Sequence, residues 1–397
     1  VIKLNFNLFM SSILGTYARK DISFKEGKGS YVFAENGDKY LDFVQGIAVN
    51  VLGHCHEHLV KAIKEQSEKL WHVSNSFVIL EQERLAKRLT DNTFADFCMF
   101  QNSGTEATEA SIKIARKYFH KIGKPEKNRI ITFQGAFHGR TLAALFAANN
   151  PKHTEGFGPK VDGFDQVPFA DHEAIKKTIN KNTAAILLET IQGEGGIKVV
   201  PDVCLKGLRE ICDEHNLLLI LDEVQCGVGR TGNFFAFEKS GIVPDIVPIA
   251  KGIGGGFPLG ACLVTKKVSV GMTPGTHGST FGGNPLAMSV GNAVLDIIFG
   301  KDFLENVKQK GKYFDQGLNK MKDKYPKIIA EIRGAGLIKG LKMLVDNTEF
   351  IKRLMNHKML AIKAEENVTR LFPPLIVNNK ELDEAIEKID KVCKEMS

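Results

Sequence analysis

Lys251 ends the run Pro244-Asp245-Ile246-Val247-Pro248-Ile249-Ala250-Lys251 and stands just before the glycines Gly254-Gly255-Gly256. Roughly thirty residues upstream, the apolar run Leu217-Leu218-Leu219-Ile220-Leu221 ends in Asp222. A lysine on a small-residue loop offers the amine with which an aldehyde cofactor forms a Schiff base. An acid at the end of a buried strand holds a basic ring nitrogen protonated, so that the ring can accept electrons. Burying such a carboxylate against a ring cation favours the charged form of both, at about 1.36 kcal/mol per pKa unit. Asp222 alone would also serve as a turn cap. Its place at the carboxyl end of a strand, where open α/β sheets bind ligands, favours the cofactor role.

A third segment suits an anion. Asn102-Ser103-Gly104-Thr105-Glu106-Ala107 lies between a strand and a helix pattern. Free amides and the positive dipole end at a helix N-terminus bind phosphate, and glycine admits close approach. Ser103 or Thr105 would equally be an ordinary N-cap. The position of the segment ahead of Asp222 and Lys251 favours the phosphate. Phe137 could cover a ring face or simply fill core.

The elements that must position these residues follow from periodicity. Phe97 to Phe100 reads as a strand, and the segment from Thr105 as a helix with Ala107, Ala110, Ile114 and Tyr118 on one stripe. Ile130 to Phe133, Ala184 to Leu188 ending at Glu189, and Leu217 to Leu221 read as strands buried on both faces. Leu205 to His215 supplies the crossover helix between the last two. This alternation makes the chain α/β. Beyond about Pro285 the pattern changes to a long amphipathic stretch. Arg333-Gly334-Ala335-Gly336-Leu337 then opens a small sheet, and a last helix carries Leu382, Ala385, Ile386, Ile389 and Val392 on one face. No repeat or exposed linker separates the parts, so close packing is expected.

The chain has 397 residues, 43% hydrophobic and 25% charged, with net charge +7, an ordinary globular composition large enough for two domains. Basic residues are interleaved with acids, without a basic block or an aromatic-basic repeat. The charge therefore reads as a solvated surface that favours small anionic substrates, not nucleic acid. Seven cysteines with no CxxC pair indicate reduced thiols in a cytoplasmic setting. No apolar run is long enough to span a membrane. Val1 to Leu14 lacks a cleavage pattern, and Met10 is a candidate natural start.

Further segments carry a family resemblance: Gly46-Ile47-Ala48-Val49, Leu52-Gly53-His54-Cys55-His56, Leu70-Trp71-His72-Val73-Ser74-Asn75, Ala136-Phe137-His138-Gly139-Arg140-Thr141, Ile191-Gln192-Gly193-Glu194-Gly195-Gly196, Leu221-Asp222-Glu223-Val224-Gln225-Cys226-Gly227 and His277-Gly278-Ser279-Thr280-Phe281-Gly282-Gly283-Asn284-Pro285. With the residues above, the chain after about Gly15 resembles the class III (subgroup II) pyridoxal-phosphate aminotransferases. The resemblance implies pyridoxal 5'-phosphate as cofactor and the fold type I of such transferases. That fold has a large domain with a mostly parallel seven-stranded sheet and a smaller α+β domain. The expected divisions are an N-terminal segment 1–50 packing with the small domain, a large domain 51–285 and a small domain 286–397.

The resemblance also implies roles. Lys251 would hold the cofactor and, once released, shuttle the proton. Asp222 would pair with the ring nitrogen, and Gln225 with the ring hydroxyl. Ser103, Gly104 and Thr105 would hold the phosphate, joined by Thr280 from a partner subunit, and Phe137 would stack on the ring. A homodimer with shared sites is the implied minimum. Tyr17, Arg140, Glu194, Arg370 and Ser279 would handle substrate. Arginine suits carboxylates because its planar fork makes two parallel charge-assisted bonds. Arg140 would take one carboxylate and Arg370 the α-carboxylate of glutamate, with Glu194 masking Arg370 when the other amino donor is bound. A fixed ion pair between Glu194 and Arg370 is the plainer alternative. The expected reaction moves the terminal amino group of N2-acetylornithine to 2-oxoglutarate. Ornithine, succinylornithine or succinyl-diaminopimelate are alternative donors, and an aminomutase is the rival chemistry.

Thr190 and Arg19 stand where many relatives carry proline. His54, His56 and His58 resemble a metal tract, but further ligands are not evident and no metal is expected. Cys226 reads as packing near the cofactor.

Overall fold

A computed structural model describes residues 12–397, so Met10 and the start of the segment 1–50 lie outside the described residues. The central sheet has seven strands, in the spatial order Phe97–Gln101, Gly260–Val264, Ile246–Ile249, Leu218–Asp222, Thr183–Glu189, Arg129–Phe133 and Phe164–Val167. Gly260–Val264 runs antiparallel to both neighbours, and the remaining neighbours are parallel. Every residue of Thr183–Glu189, Leu218–Asp222 and Ile246–Ile249 is buried. That is why these runs are continuously apolar instead of alternating.

The crossover helix is Asp202–Glu214, beginning three residues before the expected Leu205; it buries Leu205, Leu208, Ile211 and Cys212. Pro201 at its N-cap and Asp202 in its first turn mark the start, both common at helix N-termini. The helix expected from Thr105 is Gly104–Lys121.

Past residue 285 one expectation changes. Helix Pro285–Ile298 is apolar on most sides, burying Met288, Val290, Val294, Leu295 and Ile298 among others. It packs against helices Glu57–Ser67 and Leu80–Asn92, so it has little solvent face to keep polar. The amphipathic helix is the next one, Phe303–Lys324, burying Val307, Phe314 and Leu318. The small sheet is present, but it opens at Ile329, four residues before Arg333. Arg333 to Leu337 spans the turn between Ile329–Ala335 and Ile338–Met343, with Gly336 at φ 51°. These strands join Val368–Leu371 and Ile362–Ala364 in an antiparallel four-stranded sheet. The last helix, Asn379–Glu395, starts with a capping box between Asn378 and Glu381 and buries Leu382, Ala385, Ile389 and Val392. The early strands Phe24–Lys28, Tyr31–Ala34 and Lys39–Asp42 form a sheet with Met359–Leu360, tying the N-terminal segment to the C-terminal part. Among the described residues no helix is long and apolar enough to cross a membrane.

Candidate active site

Three adjacent strands end at one place. Glu189 and Asp222 are register partners at the carboxyl ends of neighbouring parallel strands. Lys251 follows the next strand, Ile246–Ile249, after Ala250. The chain there enters a short 3-10 turn, Lys251–Gly254, with Lys251 at φ 46°. A side-chain-bearing residue in the left-handed region is uncommon and signals a backbone held by its surroundings. Ser103, Gly104, Thr105, Phe137, Arg140, Glu194, Asp222, Gln225 and Lys251 line one cavity of about 420 Å³. Removal from bulk water pushes the Lys251 amine below its ordinary range, against the pull of Asp222 and Glu189 and with the push of Arg370.

At one end of the cavity helix Gly104–Lys121 begins. Ser103 is its N-cap, accepting the Glu106 amide at 3.3 Å and donating to Glu106 Oε2 at 2.7 Å. The Glu106 carboxylate also accepts the Asn102 backbone amide and side-chain amide, each at 3.0 Å. The N-cap reading holds at the turn where the anion is expected. Gly104 is required by contact, since a Cβ there would lie 2.6 Å from Val224 Cγ1. The Thr105 hydroxyl meets that of Thr141 at 2.9 Å.

In the middle, Asp222 Oδ2 lies 2.8 Å from His138 Nδ1, and Oδ1 accepts the Val224 amide at 3.0 Å. Burial would push His138 down, but the hydrogen bond and charge of Asp222, with Glu189, carry it above its ordinary value. Glu189 accepts the backbone amides of Phe137 at 2.8 Å and Gly193 at 3.2 Å. Burial pushes Glu189 up to about 7, with His138 opposing and Asp222 adding to the rise. The Gln225 Oε1 and His138 Nε2 atoms are buried without a hydrogen-bond partner among the described residues. Phe137 is half-buried, with the Arg140 guanidinium 5.6 Å from its ring centre. His138 and Glu189 were not singled out from sequence. The available signals were a histidine inside the Phe137–Arg140 motif and a second strand-ending acid placed like Asp222.

Behind the cavity-lining Glu194, Arg370, 1% exposed, donates Nη2 to Glu194 Oε1 at 2.9 Å and to the Lys363 carbonyl at 2.8 Å. Its Nε and Nη1 are buried without a partner. Arg140 is exposed at the mouth. Three expected residues lie elsewhere in this chain. Tyr17 is 76% exposed on the N-terminal segment. Ser279 Oγ accepts the Gly282 amide at 2.9 Å and the Asn102 side-chain amide at 3.2 Å. The exposed Thr280 lines a neighbouring surface hollow with Glu106 and His277. The histidine tract is divided among separate partners, His54 to Asp42 at 2.7 Å and His58 to Asp296 at 2.8 Å. Among the described residues no three His, Cys, Asp or Glu side chains come together to hold a metal ion. The replacement at Thr190 has a local partner: its hydroxyl donates to the buried Glu223.

A family model for class-III aminotransferases matches residues 16–393. The acetylornithine aminotransferase of Agrobacterium fabrum is 55% identical over 378 residues, covering 95% of each chain. Among solved structures, N-acetylornithine aminotransferase from Stenotrophomonas maltophilia superposes with TM-score 0.84 at 33% identity, over 96% of this chain and 97% of that one. An ornithine aminotransferase from Toxoplasma gondii, described with partial occupancy of PLP at its active site, gives TM-score 0.92 at 30% identity, over 96% and 92%. The seven-stranded architecture is the fold type I of pyridoxal-phosphate-dependent transferases. With its family model reaching almost from end to end and a relative matched over nearly the whole length of both, the chain belongs to the class-III aminotransferases.

Proposed function

We propose that this transaminase moves the terminal amino group of N2-acetyl-L-ornithine to 2-oxoglutarate, giving N-acetyl-L-glutamate 5-semialdehyde and L-glutamate, a step of arginine biosynthesis. The observation that carries the reading is Arg370, buried against Glu194, which lines the same cavity as the exposed Arg140, with two guanidinium nitrogens unpartnered among the described residues. A buried guanidinium with free donors is a carboxylate receptor, and a partner acid able to leave makes it a conditional one. The curated relatives named as acetylornithine aminotransferases support this choice of donor.

Pyridoxal 5'-phosphate fits the cavity. The start of helix Gly104–Lys121 suits its phosphate, Asp222 its ring nitrogen and the orphaned Gln225 Oε1 its ring hydroxyl. Bound there, the cofactor supplies an aldehyde for the amino group and a ring that accepts the electrons of the broken C–H bond. The Lys251 Nζ, its basicity lowered by the cavity, takes the substrate proton and returns it. Asp222, backed by His138, keeps the ring nitrogen protonated. Glu194 leaves Arg370 when the carboxylate of 2-oxoglutarate takes its place. The enzyme acts in the cytoplasm as a homodimer, with Thr280 reaching the partner's phosphate and Ser279 and Tyr17 completing the substrate site. The segment 1–50, the domain 51–285 and the domain 286–397 are its functional divisions.

Mixing cofactor-loaded protein with acetylornithine, without keto acid, tests this. The cofactor absorption should convert from its aldehyde to its amine form, and 2-oxoglutarate should restore it. Conversion by ornithine or succinylornithine but not by acetylornithine would move the donor. No conversion with any amine would point to mutase chemistry.

A further inference from the structure

Just past the acid pair at the strand ends lies a second pair. Thr190 and Glu223 are the residues just past the last register partners, Glu189 and Asp222, and they are not among the residues lining the cavity. Both are buried, Thr190 at 3% and Glu223 at 0% exposure. The Thr190 hydroxyl donates to Glu223 Oε1 at 2.7 Å. The same carboxylate accepts the Phe237 amide at 3.2 Å, the Ala236 amide at 3.0 Å and the Cys226 thiol at 3.3 Å. Glu223 is thus a buried carboxylate held by neutral donors, with no lysine, arginine or histidine paired to it among the described residues.

A carboxylate without a counter-ion inside a protein persists only while its donors are complete, because each lost donor leaves an oxygen desolvated and unpaired. The Thr190 hydroxyl is the one side-chain O–H in that set, and it alone crosses from the Glu189 strand to the Asp222 strand. Glu189 anchors the amides of Phe137 and Gly193, and Asp222 faces His138. The carbonyl of Glu223 accepts the Gly227 amide at 3.0 Å, closing the turn that contains Gln225. A bond between Thr190 and Glu223 therefore ties the two strand exits together just beyond their last paired residues, Glu189 and Asp222. We propose that Thr190 is a positioning residue, whose hydroxyl clamps Glu223 and so fixes Asp222 and Gln225 against the bound cofactor. The proposal rests on Asp222 being the partner of the ring nitrogen.

Burial pushes Glu223 up to about 7, and the four donors restrain the rise. The groups facing it are Thr190, the Ala236 and Phe237 amides and the Cys226 thiol, which burial keeps protonated. Loss of the hydroxyl removes one of the four restraints on that rise, so Glu223 would take up its proton at higher pH.

The test compares holoenzyme of wild type, Thr190→Val, Thr190→Ser and Asp222→Asn by the rate of cofactor loss on dilution across pH, with thermal midpoint as a fold control. Thr190→Val is expected to lose cofactor about tenfold faster at neutral pH, the loss of one donor to a buried carboxylate. The pH of half-retention should move upward, and Thr190→Ser should restore both. Unchanged retention in Thr190→Val, or failure of Thr190→Ser to restore it, would overturn the proposal. If Thr190→Val does not fold, Thr190→Ala carries the same expectation at lower side-chain volume. An effect in Asp222→Asn without one in Thr190→Val removes Thr190 alone. An unchanged half-reaction rate in Asp222→Asn, measured alongside, would remove the reading of Asp222 beneath it.

Discussion

His138 Nδ1 and Asp222 Oδ2 stand 2.8 Å apart, both side chains sealed from solvent. The pairing raises the histidine, so its imidazolium stays charged beyond its ordinary range. A raised group contributes stability that is present at acid pH and lost as pH rises through its folded value. His138→Asn keeps a neutral donor without the charge. Its half-reaction rate is expected to fall about tenfold or more, and the alkaline fall expected in the wild-type pH–rate profile should flatten. An unaltered profile would show that His138 is a spacer.

Lys251→Ala removes the proton carrier while leaving Asp222, Gln225 and the helix start in place. The expected outcome is retained cofactor and turnover lower by at least about 10²- to 10⁴-fold, the usual worth of a positioned acid–base group. Single-turnover absorbance measurements with acetylornithine check it, and residual activity near the wild type would reassign the proton.

Glu194→Ala leaves Arg370 buried with the Lys363 carbonyl as its remaining hydrogen-bond partner among the described residues. The acetylornithine half-reaction should slow about tenfold more than the 2-oxoglutarate half, because only the first needs Arg370 masked. Separate half-reaction kinetics decide this. Equal losses would reduce the pair to a fixed structural contact.

Gly104→Ala places a Cβ 2.6 Å from Val224 Cγ1. Overpacking of this kind costs about 1–3 kcal/mol, and here it should also weaken cofactor binding by displacing the helix start. Val224→Ala in the same chain should recover most of both losses. Calorimetry and cofactor titration of the single and double variants test the coupling.

Glu189 and Glu223 are both pushed up to about 7 by burial. A carboxyl raised in the folded state binds its proton there before it does in the unfolded chain, so stability falls as pH rises from the ordinary range near 4.5 toward 7. Each contributes a slope of up to about 1.4 kcal/mol per pH unit in that window. Denaturant unfolding of the apoprotein should show the fall, and Glu223→Gln should remove part of it.

The sheet was legible because its strands are buried on both faces, which leaves runs such as Leu217 to Leu221 with no polar residue. The strand-end acid and the lysine followed, since parallel strands deliver their last residues to one edge. The helix Pro285–Ile298 was misjudged for a related reason: a helix enclosed on most sides has no polar stripe to mark its period. His138 and Glu189 escaped notice because their importance lies in contacts spanning 84 and 52 positions of sequence, to Asp222 and to the Phe137 amide. Tyr17 had only its distance along the chain to recommend it, and in the structure it sits on the exposed N-terminal segment.

The register of the three central strands has an implication for variation in this gene product. Glu189, Asp222 and Lys251 reach the cavity only while Ile220 sits beside Leu187 and Ile246 in the sheet. A slip of one residue would turn an acid away from the ligand and bring Thr190 or Glu223 toward it. The apolar residues that lock this alignment therefore act as a vernier for the chemistry. In a mutational scan, volume changes at Leu187, Ile220 or Ile246 should depress turnover at doses that leave the amount of folded enzyme almost untouched.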